Sequence, residues 1–286
     1  MVSKRKKIGL IIGSGDLAVF CMEQLVLLGY ELTILRLPCS TIKIKKNIDY
    51  VDIFYEQISD ALLYLKQNSI RDIVLIGYMK RPVIDILKAS PSSQKILLKV
   101  TSSLNKGDGA IFTAVKEMLI EENFDLLKVQ DLLPELTLPS GNFGSNVAET
   151  NLFDEIEGGI SMFLDYSKLD VGQSLIIEDG HCLGMETITG TDEMIKAVIS
   201  YRKGESLKAP PGGILIKGSK PKQVLDIDTP VIGPDTIKLA NKAKLKGLVV
   251  ESNKVILVNK VSIFGLLKKF NMFLISTNFI YKDLKC

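Results

Sequence analysis

A chain of 286 residues, 46% hydrophobic and 24% charged with a formal net charge of +3, has the balance of a globular protein with room for two cores. So small a charge gives no reason to expect nucleic acid as a partner, which calls for a concentrated basic stripe. The four cysteines and single histidine show no paired spacing and no zinc pattern, and scattered free thiols suit a reducing cytoplasm. A mean hydropathy of +0.22 leans apolar and leaves room for a greasy cleft or a membrane-touching face. No uninterrupted apolar run reaches the roughly 18 residues of a membrane span. "IFGLLKKFNMFLI" comes nearest, and Lys268 and Lys269 divide it. The basic "SKRKK" start imitates a signal peptide, but the apolar part breaks at Gly13-Ser14-Gly15-Asp16. The expectation is a cytoplasmic protein, at most peripheral to a membrane.

The first half alternates strand and helix signals. "KIGLIIG" reads as a buried strand, 16–28 as a helix and "YELTILRL" as a second strand. "FYEQISDALLYLKQNS" has helical periodicity, and "RDIVLIGY" is a third strand ending at Gly77. A helix over 111–122 and a short strand over 126–129 follow. This rhythm predicts a Rossmann-like parallel sheet with helices on both faces, over 1–133. "PELTLPSGNFGSNVAET", 134–150, crowds proline, glycine and asparagine and reads as a linker. From 151 to 286 the pattern changes to α+β. "GQSLIIEDGHCLGMETI" is a hairpin turning at Asp179-Gly180, "DEMIKAVISYR" a helix, "GGILIKG" a strand and "DTIKLANKAKLKG" a helix. "GLVVESNKVILVNK" reads as another hairpin and "VSIFGLLKKF" as a helix. The fold class is α/β, with two domains of different design.

Gly13-Ser14-Gly15-Asp16-Leu17-Ala18 fits the relaxed G-x-G-x-x-A form of the dinucleotide fingerprint, between a strand and a helix. Glycines let the backbone approach a phosphate, and the helix N-terminus supplies amide donors. The second strand, however, ends at Arg36 rather than at an acidic residue, which would suit only a 2′-phosphate. Asp16 also competes with a dinucleotide phosphate, unless it serves as the helix N-cap. The turn is read as approaching a phosphate or a sugar, with Gly13, Gly15 and Asp16 as contact residues. At the end of the third strand, "IGYMKRP" offers Gly77, Lys80 and Arg81 to the crevice where open α/β sheets bind ligands. "NKGDGA" puts Lys106 and Asp108 ahead of a helix, either as an anion or sugar site or as an ordinary capped turn.

Four polar clusters interrupt the apolar second half. They are "LDVGQS" with Asp170 and Gln173, "METITGTDEM" with Glu186, Thr191 and Asp192, "LIKGSKPKQ" with Lys217, Ser219 and Lys220, and "LDIDTPVIGPDT" with Asp226, Asp228 and Asp235. Carboxylates offer hard oxygen ligands to Mg²⁺ or Mn²⁺, and lysines offer point charges to phosphate oxygens. Together they are what metal-assisted phosphoryl transfer requires. Plainer readings stand beside these: Thr191-Asp192 and Asp235 as helix caps, Lys220 and Lys222 as a solvated face, His181 as a surface histidine. Asp226 and Asp228, two apart on an extended segment, share a side and call for a cation or solvent between them. With one histidine and no suitable serine or cysteine motif, a nucleophilic triad is not expected.

Taken in series, "GLIIGSGDLA", "IGYMKRP", "KGDGAI", "LTLPSG", "LDVGQS", "ETITGTDEM", "LIKGSKPKQ", "DIDTPVIGPDT" and "GLVVE" resemble one family, the UDP-2,3-diacylglucosamine pyrophosphatases of lipid A biosynthesis that are unrelated to metallophosphoesterases. The resemblance runs from about Lys7 to Thr277. It implies a cytoplasmic, homodimeric hydrolase of two α/β domains that splits UDP-2,3-diacylglucosamine into UMP and 2,3-diacylglucosamine 1-phosphate. It further implies a divalent cation, usually Mg²⁺, and lipid held between the domains. The family's essential aspartate lands on Asp228, in Asp228-Thr229-Pro230-Val231-Ile232-Gly233, as metal ligand or as the group orienting water; the spacing of the two carboxylates, apart from the resemblance, adds Asp226 as a second metal ligand. Ser14, Ala18 and Gln130 depart from the family pattern, which has a third glycine, a proline and often a histidine at these places. Two other readings stay open: an NADP-dependent oxidoreductase built on the Gly13-Ser14-Gly15 turn, and a non-catalytic nucleotide- or lipid-binding protein.

Overall fold

The structure, a computed structural model, describes residues 6–46, 48–79, 83–103, 108–144, 152–205, 212–221 and 227–280. The chain divides into two compact units, Met1–Pro134 with Val224–Asp228, and Glu135–Gln223 with Thr229–Cys286.

The first unit begins with β1 (Lys7–Ile12), α1 (Asp16–Leu27), β2 (Glu31–Arg36), β3 (Asp49–Asp52), α2 (Ile58–Gln67) and β4 (Asp72–Ile76). It continues through α3 (Pro91–Thr101), α4 (Asp108–Glu121), β5 (Asp125–Leu126) and α5 (Val129–Leu132). All pairings are parallel, in the order β3-β2-β1-β4-β5. Five of the six β1 residues are buried, as expected of a parallel strand covered on both faces. Leu35, Leu62, Leu65, Ile73 and Leu119 pack beneath one face of the sheet. β3 and α3 were not expected. β3 is four mostly exposed residues at the sheet edge. α3 is set by local chemistry: Ser90 accepts from the Ser93 N–H and Pro91 fills the first helical turn. The short strand expected over 126–129 is Asp125–Leu126 instead, and Val129 opens α5.

The second unit contains β6 (Gly141–Asn142), α6 (Leu152–Ser167), β7 (Ser174–Glu178), β8 (His181–Met185), α7 (Thr191–Glu205) and β9 (Ile214–Lys217). It ends with β10 (Val231–Ile232), α8 (Pro234–Lys242), β11 (Gly247–Glu251), β12 (Ile256–Leu257), α9 (Lys260–Phe270) and β13 (Phe273–Thr277). Its main sheet is mixed, in the order β6-β13-β11-β9-β7-β8. The β7–β8 hairpin forms as expected. The hairpin expected over 247–260 does not. β11 is buried along its whole length and takes parallel partners on both sides, β9 and β13. A hairpin would have put an antiparallel neighbour on one of those two edges. The chain turns through Asn253, at φ +57, and Ile256–Leu257 pair instead with Val231–Ile232 in a separate parallel ribbon. The stretch read as a linker is, over 135–144, built into this unit. Leu136 and Leu138 are buried, and Gly141–Asn142 add antiparallel to β13. The Asn253 N–H and the Ser276 hydroxyl both donate to the Leu138 carbonyl, at 2.9 and 3.1 Å. The rest of that stretch, 145–150, lies outside the described residues. Among the described residues no helix is long and apolar enough to cross a membrane.

Candidate functional site

In the first unit the glycine turn is shaped by its neighbour loop. A Cβ on Gly13 would stand 2.3 Å from the Tyr78 carbonyl oxygen. The cause is a backbone bridge: Ser14 N donates to Tyr78 O at 2.8 Å, and Tyr78 N to Ser14 O at 2.7 Å. Gly77, at φ +96, meets the same constraint, its Cβ falling 2.8 Å from Ser14 O. The glycines that admit a pyrophosphate in dinucleotide folds here admit the loop after β4. Gly15 differs: it is exposed, at φ +105, and a Cβ there would meet nothing within 4 Å. Asp16 is not the N-cap. Gly15 holds that position without a side-chain bond, and Asp16 is the first helical residue, exposed, where its charge complements the helix dipole.

Ser14 also binds the loop after β2. Its hydroxyl donates to Cys39 O at 2.8 Å and accepts from Thr41 N at 3.1 Å. The Ser40 hydroxyl donates to Gly13 O at 2.8 Å. Arg36, the cation that an NADP reading needs, is engaged. It pairs with both oxygens of Asp52, donates to Ile42 O at 3.0 Å and lies 5.1 Å from the Tyr50 ring centroid. Lys80, Arg81 and Lys106 lie outside the described residues, as does the side chain of Asp108, whose backbone opens α4.

In the second unit the parallel strands β9, β11 and β13 end together. Ser174 and Lys217 stand opposite each other where β7 meets β9. Glu186 follows β8, and Thr191 opens α7. The four side chains converge. Glu186 Oε2 accepts from the Ser174 hydroxyl, from Thr191 Oγ1 at 2.8 Å and from Lys217 Nζ at 3.4 Å. Lys217 Nζ also donates to Thr191 Oγ1 at 2.5 Å. The Lys217 side chain is 4% exposed and that of Glu186 12%. Burial by itself would raise the Glu186 carboxyl. The Lys217 charge and the donors on Ser174, Thr191 and Lys217 together outweigh it and hold the group below the usual carboxylate range. The Tyr166 hydroxyl donates to the Glu186 carbonyl, and burial followed by the Glu186 charge pushes that phenol up.

A second cluster lies on the loop after β9. The Ser219 N–H and hydroxyl both donate to Glu251 Oε2, at 2.8 and 2.6 Å. Glu251 ends β11 and is 6% exposed. Lys220 pairs with Asp170 at 2.7 Å. The Gln173 carbonyl accepts from Gly218 N at 3.0 Å.

The expected caps are not caps. α7 begins at Thr191 itself, so Thr191 and Asp192 lie inside its first turn, and Asp192 accepts from Thr236 Oγ1 at 3.1 Å. At α8 the N-cap is Gly233, and Asp235 pairs with Lys238 at 2.8 Å. His181 is exposed at the hairpin, its Nδ1 2.9 Å from the Asp179 carbonyl.

Asp228 is half-buried, two residues before Pro230, whose carbonyl accepts from Ile256 N at 2.8 Å. Asp226 lies outside the described residues. Among the described residues no three His, Cys, Asp or Glu side chains gather to hold a metal ion. Glu186 and Glu251 are matched by lysines and hydroxyls and do not fit a cation as they stand. Sequence reasoning missed Ser174 and Glu251. Ser174 was visible only through strand register, and Glu251 as a carboxylate ending an apolar strand.

Family models place this architecture. The LpxI N-terminal domain matches residues 7–136 and the LpxI C-terminal domain matches 139–275. The chain belongs to the LpxI family. The seam between the two matches falls beside Pro134, where the chain passes from one unit to the other. A curated LpxI relative from Caulobacter vibrioides, named UDP-2,3-diacylglucosamine pyrophosphatase, is 24% identical over 274 residues. That match spans 96% of this chain and 98% of the relative. A solved structure of Bordetella bronchiseptica WbmH in complex with NAD+ overlaps 40% of this chain and 36% of its own, at 12% identity and a TM-score of 0.26. So slight a likeness has no bearing on fold or ligand.

Proposed function

We propose that this chain is a hydrolase that cleaves the pyrophosphate of UDP-2,3-diacylglucosamine, giving UMP and 2,3-diacylglucosamine 1-phosphate, a step of lipid A biosynthesis. One observation carries the reading. Both LpxI domain models match in order, and the named relative aligns over nearly the full length of both chains. The oxidoreductase reading loses ground for a local reason: the Gly13 turn is filled by the loop carrying Tyr78.

A pyrophosphate resists attack because its oxygens repel a nucleophile, so catalysis rests on offsetting charge and on placing water. We assign Asp228 the role of orienting that water. The cofactor we assign is Mg²⁺ or Mn²⁺, held through Asp228 and Asp226, and its chemistry is to offset phosphate charge. Lys220, on the loop after β9, supplies further positive charge. The chain works in the cytoplasm as a homodimer and touches the inner membrane peripherally, where a diacyl substrate resides. The test is UMP release, by chromatography, from UDP-2,3-diacylglucosamine in Mg²⁺, its loss in chelator and its return on adding Mg²⁺. Folded protein that releases no UMP refutes the hydrolase. Undiminished release in chelator refutes the cation.

A further inference from the structure

Lys217, which ends β9, and Lys220, on the loop after it, are neutralised in unlike ways. The counter-ion of Lys217 is itself buried, 12% exposed, and is fixed by hydroxyls from Ser174 and Thr191. That pair is locked. Lys220 is nearly as deep, its side chain 10% exposed, yet its partner Asp170 is 55% exposed, at 2.7 Å. Asp170 stands on a tight turn at φ +57, its N–H donating to Ser167 O at 3.2 Å. Its carboxylate, already 55% exposed, is rehydrated when it leaves, so the cost of parting falls on Lys220 and is met only when another anion takes its place. Lys220 has no such freedom. The residue before it is clamped through both its N–H and its hydroxyl to Glu251, a carboxylate 6% exposed at the end of the central parallel strand. A buried cation on a fixed loop, faced by a detachable carboxylate, lies outside the carboxyl ends of parallel strands, where open sheets take ligands.

We propose that Lys220 and Asp170 form an exchangeable ion pair, Asp170 holding the lysine until a phosphate oxygen of the ligand displaces it. The displacing group carries more negative charge than a carboxylate and accepts in the same way, so the ligand class is a phosphate monoester or phosphoanhydride. The inference rests on the reading of this chain as a pyrophosphate-cleaving enzyme, for which Asp170 would be the resident competitor of the substrate. Glu251 is then a positioning residue, acting through Ser219 on where Lys220 stands.

The experiment is calorimetric titration of the full chain with inorganic pyrophosphate and, separately, with UMP. Asp170→Asn keeps a residue that tolerates the left-handed turn and removes only the competing charge. Its Kd for pyrophosphate should fall at least threefold, and Asp170→Glu should restore the wild-type value. Lys220→Gln should raise Kd about tenfold, an order expected when a charge-assisted hydrogen bond is lost. In turnover assays Ser219→Ala should raise KM several-fold with kcat changed less than twofold, a split that mere destabilisation does not produce. An Asp170→Asn protein that binds pyrophosphate no tighter than wild type, or no detectable binding by either, overturns the proposal. Turnover of UDP-2,3-diacylglucosamine by wild type is scored separately. Turnover with an unmoved Kd sinks the exchange alone, and a tightened Kd without turnover sinks the enzymatic reading alone.

Discussion

Replacing Lys217 by methionine isolates the buried pair at the centre of the second unit. The change keeps most of the side-chain volume and strands the Glu186 carboxylate, 12% exposed, with only hydroxyl donors. Breaking a buried pair from one side costs about 3–4 kcal/mol, because an uncompensated charge remains. Glu186→Gln, which strands the ammonium, should cost a similar amount. The double variant removes both charges and should lose only about 2–3 kcal/mol, leaving a coupling energy of roughly 3 kcal/mol or more. Because the chain has two units, hydrogen exchange on peptides from β7 and β9 reads the relevant opening better than a global unfolding curve.

The pH dependence of this pair carries a sign. In wild type the Glu186 pKa is depressed, so its contribution is present above the unfolded carboxylate pKa and is lost as pH falls through the folded one. In Lys217→Met burial dominates and the folded pKa rises. The variant's deficit should therefore be largest near neutrality and shrink as pH falls through the carboxylate range. Additive single-variant effects, within about 0.5 kcal/mol, would refute the coupling.

The remaining predictions concern the glycine turn and Asp228. Gly13→Ala drives a Cβ to 2.3 Å from backbone and should destabilise the first unit by more than about 3 kcal/mol in urea unfolding. Gly15→Ala, strained only by its backbone at φ +105 and ψ 161, should cost about 1–3 kcal/mol and less than Gly13→Ala, and the reverse ranking would refute the loop-to-loop account. Ser14→Ala removes the ties to Cys39 and Thr41 and should cost about 1–2 kcal/mol, with faster exchange over 37–46 as its signature. Asp228→Ala should cut turnover by more than about 100-fold with circular dichroism unchanged, and activity within a few-fold of wild type would remove Asp228 from its role.

What could be seen in the chain follows from how locally each feature is determined. β1, β2, β4 and the helices α1, α2 and α4 carry apolar runs or periods of their own, so the parallel first sheet was legible. β3 carries no such pattern and sits at the sheet edge, whereas α3 has a short apolar face of Ile96, Leu97 and Val100 behind a serine cap and was passed over. "GLVVESNKVILVNK" has the alternation of a hairpin. What decides against one is a non-local fact, the availability of β9 and β13 as parallel neighbours of a fully apolar β11. In the candidate site, Glu186, Thr191 and Lys217 were legible as polar interruptions of apolar segments, and the fold gathers these three. Their mutual satisfaction was not legible, since it depends on the register that sets Ser174 opposite Lys217. Gly13 and Gly77 were legible as places of close backbone approach. Which backbone approaches could not be read, because Tyr78 is 65 positions downstream of Gly13 and is brought back only by strand pairing.

The central claim is that one bond, between the two phosphorus atoms of a nucleotide-sugar lipid, is hydrolysed. Phosphorus NMR of UDP-2,3-diacylglucosamine incubated with the purified chain and Mg²⁺ tests it most directly. The diphosphate resonances should give way to two monoester resonances in equal amounts, assigned to UMP and to 2,3-diacylglucosamine 1-phosphate. Persistence of the diphosphate, or appearance of UDP in place of UMP, would contradict the account.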